Sequence, residues 1–505
     1  MTRSTPFIEE EHKNMSGAQT DDAGAARRSD LVIRFAGEAG EGIKSPGELI
    51  IQAAARAGYR IITDFSPPAE IKGGVSFFQI RLSTHPIYTR GDAPDVLLAF
   101  NQEAYDAYIA ELRDGGMLIY DPDRVTLDPD QVSHFQTLAF PMGSIAAKEL
   151  RMPIVKNVVA VGGLATLFGL ETDHLKQVIR KLWLRKGEAV VETNYKALDA
   201  GIAYVHEQVN GAAPFVLAPA AEQQNTIHVS GNQATGLGAI AGGVQFFAGY
   251  PITPASDVME YLAAWLPQQG GHVVQAEDEI AAVNMLLGAS YAGARAMTTT
   301  SGPGLSLMVE ALGLATMAEL PAVIVDAQRV GPSTGMPTRH EQADLNLTAL
   351  GGHGEVPRIV LAATSVEDCF WLAIAAFNLS EKYQMPVILM TDTVVAVRTE
   401  SIGRPDLSRV KLTERDTWSA NGANGQAADQ TPMLEELDDS GYLPYKLTDS
   451  GVSPMSLPGT PGGQYVAMGL EHNQKGRGRW DQQTHMLMTQ KRFRKLERSV
   501  TDAPE

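Results

Sequence analysis

Short apolar runs alternate with longer stretches of helical period along most of this chain, and that alternation is the strongest constraint on its fold. In the second half the runs fall at 226–229, 245–248, 272–275, 295–300, 322–326 and 386–391. The helical stretches between them, such as 234–243 and 280–293, are rich in Ala and Gly, which suits close packing on a sheet. In the first half 31–35 reads as a buried strand, and further strands are expected at 59–63, 75–82, 95–100 and 117–120. Gly37-Glu38-Ala39-Gly40-Glu41-Gly42 forms a Gly-rich turn, after which Ser45-Pro46-Gly47-Glu48 predicts a helix start with Ser as N-cap, Pro at N1 and Glu at N3. Strands alternating with helices predict an α/β layer fold. Two open-sheet α/β domains are expected, at 31–207 and 225–405, joined by a linker at 208–224 that contains Asn210-Gly211-Ala212-Ala213-Pro214.

The ends read differently. Residues 1–30 are polar, small and mixed in charge, and without an apolar h-region they predict a disordered leader rather than a secretory signal. From Asp406 the alternation dissolves, so 406–505 is expected to be an extended arm, least periodic across 418–445. Basic residues gather near its end, in Gln490-Lys491-Arg492-Phe493-Arg494-Lys495, and predict a solvated helix.

Composition narrows the function. At 505 residues and 44% hydrophobic the chain can bury large cores. It contains no apolar run of the eighteen or so residues that a membrane span needs. A net charge of -18 opposes a nucleic-acid partner. The single cysteine, Cys369, rules out an intrachain disulfide framework, suits a cytosolic protein and is expected in a helix core. One thiolate also excludes an iron–sulfur cluster held by this chain alone, because such clusters normally need four.

Four segments carry the chemistry: Gly249-Tyr250-Pro251-Ile252-Thr253-Pro254-Ala255-Ser256, then Glu277-Asp278-Glu279-Ile280-Ala281-Ala282, then Thr298-Thr299-Thr300-Ser301-Gly302-Pro303-Gly304, and lastly Gln328-Arg329-Val330-Gly331-Pro332-Ser333-Thr334-Gly335. Taken alone, a carboxylate opening an Ala-rich helix most often serves the helix N-terminus. Arg329 follows an apolar strand, at the carboxyl edge where open α/β sheets place ligands, and a guanidinium suits bidentate capture of a carboxylate. In that order the four segments resemble the pyrimidine-binding domain of thiamine-diphosphate enzymes. More narrowly, they are similar to the alpha subunits of the 2-oxoacid:ferredoxin oxidoreductase family, most of all the 2-oxoglutarate type.

The resemblance implies roles. A carboxyl group hydrogen-bonded to the pyrimidine ring nitrogen of thiamine diphosphate activates that cofactor. Glu277 and Glu279 both qualify by position. In related enzymes this glutamate stands nine residues before a Gly-Ala pair, and Gly288-Ala289 selects Glu279. Tyr250, Pro251, Ile252, Ser301 and Gly302 would line the cofactor with it. Thr253, Arg329 and Thr338 would orient the 2-oxoacid. The first domain resembles the family's gamma domain, with a role near the coenzyme A path. Within it Ala69-Glu70-Ile71-Lys72-Gly73-Gly74 matches a segment whose basic residue, Lys72, would meet the distal carboxylate of 2-oxoglutarate or remain an exposed structural lysine. The Gly-rich turn at 37–42 fits an anion site or a tight turn without a ligand equally well.

The resemblance also implies what lies elsewhere. No metal-ligand set is visible, and the Gly-Asp-Gly…Asn-Asn element that holds magnesium and diphosphate is missing, so the chain is expected to hold half a cofactor site. A beta subunit would supply Mg2+, diphosphate binding and a [4Fe–4S] cluster. Coenzyme A would be a substrate, ferredoxin the electron acceptor, and a cytoplasmic dimer of alpha–beta pairs the assembly. Longer members continue into a further transketolase-like domain, expected to be absent here. Pyruvate or a branched-chain 2-oxoacid is the alternative substrate, and a non-catalytic scaffold subunit the alternative function.

Overall fold

The computed structural model describes residues 26–38, 41–66, 74–209, 215–220, 225–419 and 442–502. Lys72, most of the expected leader, parts of the expected linker and most of the 418–445 stretch lie outside these residues. The chain divides into two compact units, Met1–His228 with Thr399–Gly403, and Val229–Arg398 with Arg404–Glu505.

The strands of the first unit are β1 (Ala26–Arg28), β2 (Asp30–Glu38), β3 (Arg60–Ser66), β4 (Val75–Ser83), β5 (Val96–Ala99), β6 (Met117–Tyr120), β7 (Gln136–Ala139), β8 (Phe215–Leu217) and β9 (Thr226–Ser230). Its main sheet runs β7-β6-β5-β2-β4-β3-β16-β9, where β16 (Thr399–Gly403) returns from far along the chain. The β7-β6-β5-β2 part is parallel, whereas β4 is antiparallel to both β2 and β3. The strand expected at 226–229 therefore belongs to the first sheet, not the second. Its partner β16 lies more than 160 residues away, and a backbone pairing at that range leaves no local signature. The end of the expected leader and the middle of the expected linker are likewise strands, β1 and β8, paired in parallel. The first helix spans Lys44–Arg56 and starts one residue before Ser45, with Ile43 at the cap position and no side-chain cap. Pro46 is tolerated within that first turn because its missing N–H has no partner there.

Two helices, Lys156–Phe168 and Glu188–Val209, cover this sheet and touch through glycines. A Cβ on Gly162 would sit 2.1 Å from the Leu198 carbonyl oxygen, and one on Gly201 would sit 2.0 Å from that of Val159. Only the absence of side chains lets these backbones approach so closely.

The second unit is built on a six-stranded sheet, all parallel: β10 (Phe246–Gly249), β11 (His272–Gln275), β12 (Ala296–Thr300), β13 (Ala322–Gln328), β14 (Ile359–Ala362) and β15 (Pro386–Asp392). Their order is β11-β10-β12-β13-β15-β14. Along β13, Val323 and Val325 join a core with Phe377 and Leu379 on one face, while Ala322 and Ile324 join Leu305, Met308 and Leu312 on the other. A central strand covered on both faces must be apolar at every position, hence the unbroken run in the sequence. Each such aliphatic burial contributes about 1.5–3 kcal/mol.

The arm is not a solvated appendage. Its helix, Gln482–Ser499, buries Lys491, Arg492 and Lys495. Lys491 Nζ lies 2.5 and 2.6 Å from the carboxylate of Glu319, which also pairs with Lys495, and Arg492 grips Glu471 at 2.8 and 3.1 Å. The expectation of solvated bases fails because their acidic partners lie outside the helix, Glu319 being 172 residues from Lys491 and Glu471 21 residues from Arg492. Cys369 is buried on the helix Val366–Tyr383, as expected.

Candidate functional site

The carboxyl ends of β10, β12 and β13 bring three of the four motif segments together, and the helix after β11 brings the fourth. β10 ends at Gly249, and the turn 250–255 leads into the helix Ser256–Trp265. Tyr250 and Thr253 are exposed on this turn, Pro251 is exposed too, and Ile252 packs beside Ala255 and Ala327. The Thr253–Pro254 peptide is cis, and Asn232 Nδ2 donates to the Pro254 carbonyl at 2.7 Å.

The three acids of Glu277-Asp278-Glu279 separate into three situations. Glu277 is exposed. Asp278 caps the helix Glu279–Tyr291, accepting from the Ala281 amide at 2.7 Å. Glu279 is buried, 7% exposed, and turns toward the next motif. A Cβ on Gly304 would lie 2.8 Å from Glu279 Oε1, 2.7 Å from its Cγ and 2.0 Å from Thr300 Oγ1. Glycine at 304 is thus what lets the helix Gly302–Met317 accept this carboxylate. Ser301 occupies that helix's N-cap position, fully buried, and its hydroxyl has no hydrogen-bond partner among the described residues.

Arg329 follows β13 and is 6% exposed. Its Nη1 donates to the Thr253 carbonyl at 2.6 Å and its Nη2 to that of Thr334 at 3.3 Å, while Nε has no partner among the described residues. Burial lowers the Arg329 pKa, and Asp344 and Glu279 oppose that shift through their negative charge. Thr338 is half-buried on a loop that folds back on Val330, through Val330 N–H to the Arg339 carbonyl at 3.2 Å and Met336 N–H to the Val330 carbonyl at 3.1 Å. Thr253, Glu279, Arg329, Ser301 and Gly302 are therefore gathered at one sheet edge, with Thr338 on the adjoining loop.

Two acids at this edge escaped the sequence reading. Asp344 is N-terminal to the short helix Leu345–Leu350, and a Cβ on Gly302 would lie 2.6 Å from its Oδ1. Burial and Glu341 raise its pKa, against Arg329 and the Gly302 amide. Its backbone N–H donates to Gln328 Oε1 at 3.0 Å. Asp326 lies within β13, and its signal was a lone acid in the apolar run Ala322-Val323-Ile324-Val325-Asp326. For Asp344 no local signal exists, since its partners converge only in the fold.

In the first unit the Gly-rich turn holds an acid of its own chain. Glu41 accepts from Lys156 Nζ at 3.1 Å, Asn101 Nδ2 at 3.0 Å and the Glu38 amide at 3.1 Å, and also pairs with Arg124. These donors are engaged internally, which favours the tight-turn reading. No group of three or more His, Cys, Asp or Glu that could hold a metal ion occurs among the described residues.

A family model described as pyruvate flavodoxin/ferredoxin oxidoreductase, thiamine diphosphate-binding, matches residues 237–491, and one described as pyruvate ferredoxin/flavodoxin oxidoreductase matches residues 32–204. The 2-oxoglutarate oxidoreductase subunit KorA of Mycobacterium tuberculosis is 35% identical over 93% of this chain and 74% of its own length. The 2-oxoacid:ferredoxin oxidoreductase subunit alpha of a Sulfolobus species is 32% identical over 93% of the chain and 78% of its own. Among solved structures, the 2-oxoglutarate:ferredoxin oxidoreductase of Magnetococcus marinus, with 2-oxoglutarate, coenzyme A and succinyl-CoA bound, is 44% identical with a TM-score of 0.86, covering 95% of this chain and 80% of that one.

Proposed function

From the 2-oxoacid:ferredoxin oxidoreductase family, to which this chain belongs, we infer an alpha subunit of 2-oxoglutarate:ferredoxin oxidoreductase. The reaction is 2-oxoglutarate plus coenzyme A plus oxidised ferredoxin giving succinyl-coenzyme A, carbon dioxide and reduced ferredoxin. The observation that carries the reading is the buried Glu279 carboxylate seated against Gly304 at the sheet edge, in a chain 44% identical to an enzyme solved with 2-oxoglutarate and both coenzyme A species.

The residues present fit thiamine diphosphate. A carboxylate, an unpartnered buried hydroxyl on Ser301 and a cradle that any Cβ at 304 would fill converge there. When bound, this cofactor supplies the electron sink that decarboxylation of a 2-oxoacid requires. Glu279 would hold and exchange the proton at its pyrimidine nitrogen. Tyr250, Pro251, Ile252, Ser301 and Gly302 would line its ring. Arg329 would take the C1 carboxylate of the substrate through its guanidinium, with Thr253 and Thr338 beside it. Lys72 would meet the distal carboxylate.

The proposed domain assignment is a gamma domain at 31–207, a linker at 208–224, a pyrimidine-binding domain at 225–405 and a C-terminal arm, with the difference that residues up to His228 and Thr399–Gly403 fall in the first compact unit. The rest of the cofactor site, with Mg2+ and a [4Fe–4S] cluster, would belong to a beta subunit in a dimer of alpha–beta pairs. Exposed apolar side chains on the segments that build the site support such a partner: Ile280, Met285, Leu307, Met336, Leu345 and Leu350. Among the described residues no helix is long and apolar enough to cross a membrane, and a cytoplasmic setting agrees with the lone thiol. The test is coenzyme-A-dependent dye reduction by the assembled complex across a panel of 2-oxoacids. Preference for 2-oxoglutarate is expected, preference for pyruvate would reassign the substrate, and no turnover with any 2-oxoacid despite bound partner and cofactor would leave the scaffold reading.

A further inference from the structure

Two helices, Glu279–Tyr291 and Gly302–Met317, cover one face of the second sheet. Their first turns build the site: Glu279 opens one, and Gly302 and Gly304 lie in the opening turn of the other. Their far ends are held by the C-terminal arm. Arg415 Nη1 donates to the Ser290 carbonyl, in the last turn of the Glu279 helix, at 2.7 Å. The Tyr291 ring meets that of Tyr465, with centroids 6.0 Å apart, and Leu457 closes over Gly293, where a Cβ would lie 2.9 Å from its Cδ1. A cation at a helix C-terminus is favourable, because the last carbonyls carry the negative end of the helix dipole. The second helix is held just past its end, by Lys491 and Lys495 on Glu319.

Arg415 is itself fixed. Its side chain is 5% exposed, and Nε and Nη2 fork onto the Glu381 carboxylate at 2.7 and 3.0 Å. Glu381 belongs to the helix Val366–Tyr383, which packs on the other face of the sheet. One guanidinium therefore ties a helix on one face to the end of Glu279's helix on the other. Its planar fork can serve a carboxylate with one edge and a carbonyl with another, a geometry that an ammonium group does not reproduce.

We propose that Arg415 is a positioning residue for Glu279. A helix is stiff along its axis, and at about 1.5 Å per residue Ser290 stands about 16 Å from Glu279. Fixing the far end fixes how deeply the Glu279 carboxylate sits against Gly304. That seat has little slack, since a Cβ on Gly304 would already lie 2.8 Å from Glu279 Oε1. A misplacement of about 1 Å at a reacting group can slow a reaction about 100-fold, even when its origin is remote. The inference rests on the reading of Glu279 as the partner of the cofactor's pyrimidine nitrogen.

The experiment compares wild type, Arg415→Lys, Arg415→Met/Glu381→Met and Tyr383→Phe, each assembled with its partner subunit. The double variant removes both charges together, so no lone carboxylate stays buried if the single variant folds poorly. Tyr383→Phe is the control: it removes the hydroxyl that donates to the Arg498 carbonyl at 3.1 Å, loosening the arm without touching either site helix. Thiamine diphosphate affinity is measured by calorimetry, and kcat and the KM for 2-oxoglutarate by dye reduction. Both Arg415 variants are expected to bind the cofactor about tenfold more weakly and to turn over about 10- to 100-fold more slowly. Their KM should stay near wild type, because Thr253, Arg329 and Thr338 lie on neither helix. Tyr383→Phe should match wild type in all three. The proposal is overturned if both Arg415 variants keep the wild-type cofactor affinity and kcat. It is equally overturned if Tyr383→Phe shifts them as far, since general loosening of the arm would then suffice. Wild-type turnover in Glu279→Gln would instead sink the Glu279 reading itself.

Discussion

Position in a helix and position in a site are different properties, and Glu277, Asp278 and Glu279 show it. The sequence puts all three at one helix start, where any carboxylate is favourable. The fold exposes the first, spends the second on a cap and buries the third against Gly304. Glu279→Gln keeps the size of the side chain, so folding and subunit assembly should survive while turnover falls about 10²–10⁴-fold, as losing a general acid–base group implies. Wild-type turnover, measured by dye reduction, would refute the role. Gly304→Ala places a methyl 2.0 Å from Thr300 Oγ1. Overpacking of that kind costs about 1–3 kcal/mol, so a lower melting temperature and weaker thiamine diphosphate binding are expected by calorimetry. Arg329→Lys retains the charge but loses the fork that reaches both the Thr253 and Thr334 carbonyls. Its KM for 2-oxoglutarate should rise more than its kcat falls.

Elements carry a second layer of information that single residues do not. β13 was legible as a strand because both its faces are covered, and its apolar run follows directly. The arm helix Gln482–Ser499 was legible as a basic helix, but its buried pairs were not, because Glu319 lies 172 residues from Lys491 and Glu471 joins Arg492 from outside the helix. Two buried ammonium groups hold the Glu319 carboxyl down to about 2, well below its ordinary 4.5. A depressed carboxyl gives stability that is present above its ordinary value and lost as pH falls toward the folded one. Arm docking should therefore weaken between about pH 4.5 and about pH 2, read by the fluorescence of Trp418, which packs against Tyr442. Glu319→Gln leaves both lysines buried without a counter-charge, and a loss of about 3–5 kcal/mol is expected in denaturant melts. An unchanged midpoint would mean that the lysines are solvated after all.

For the whole molecule, the cysteine count makes a prediction about iron. One thiol by itself cannot supply the four thiolates that a [4Fe–4S] cluster normally needs. The chain purified alone is expected to contain no iron and to show no coenzyme-A-dependent dye reduction, and both should appear on adding the beta subunit. Iron bound by the isolated chain would contradict this. The α/β class and most strands of both sheets were readable from periodicity. The placement of β9 with β16, and of β1 with β8, was not.

The sequence by itself determined the layered α/β architecture, the thiamine-type motif order and a thiol count too small for an iron–sulfur cluster held by this chain alone. These follow from local period, short-range spacing and counts, all of which are one-dimensional properties. Only the tertiary structure decided which acid is buried, that Asp344 meets Gly302, that the Asp326 carboxyl has no hydrogen-bond partner among the described residues, and that the basic arm is clamped on Glu319. Burial and electrostatic pairing depend on distances between residues far apart in the chain, and no local pattern encodes those distances.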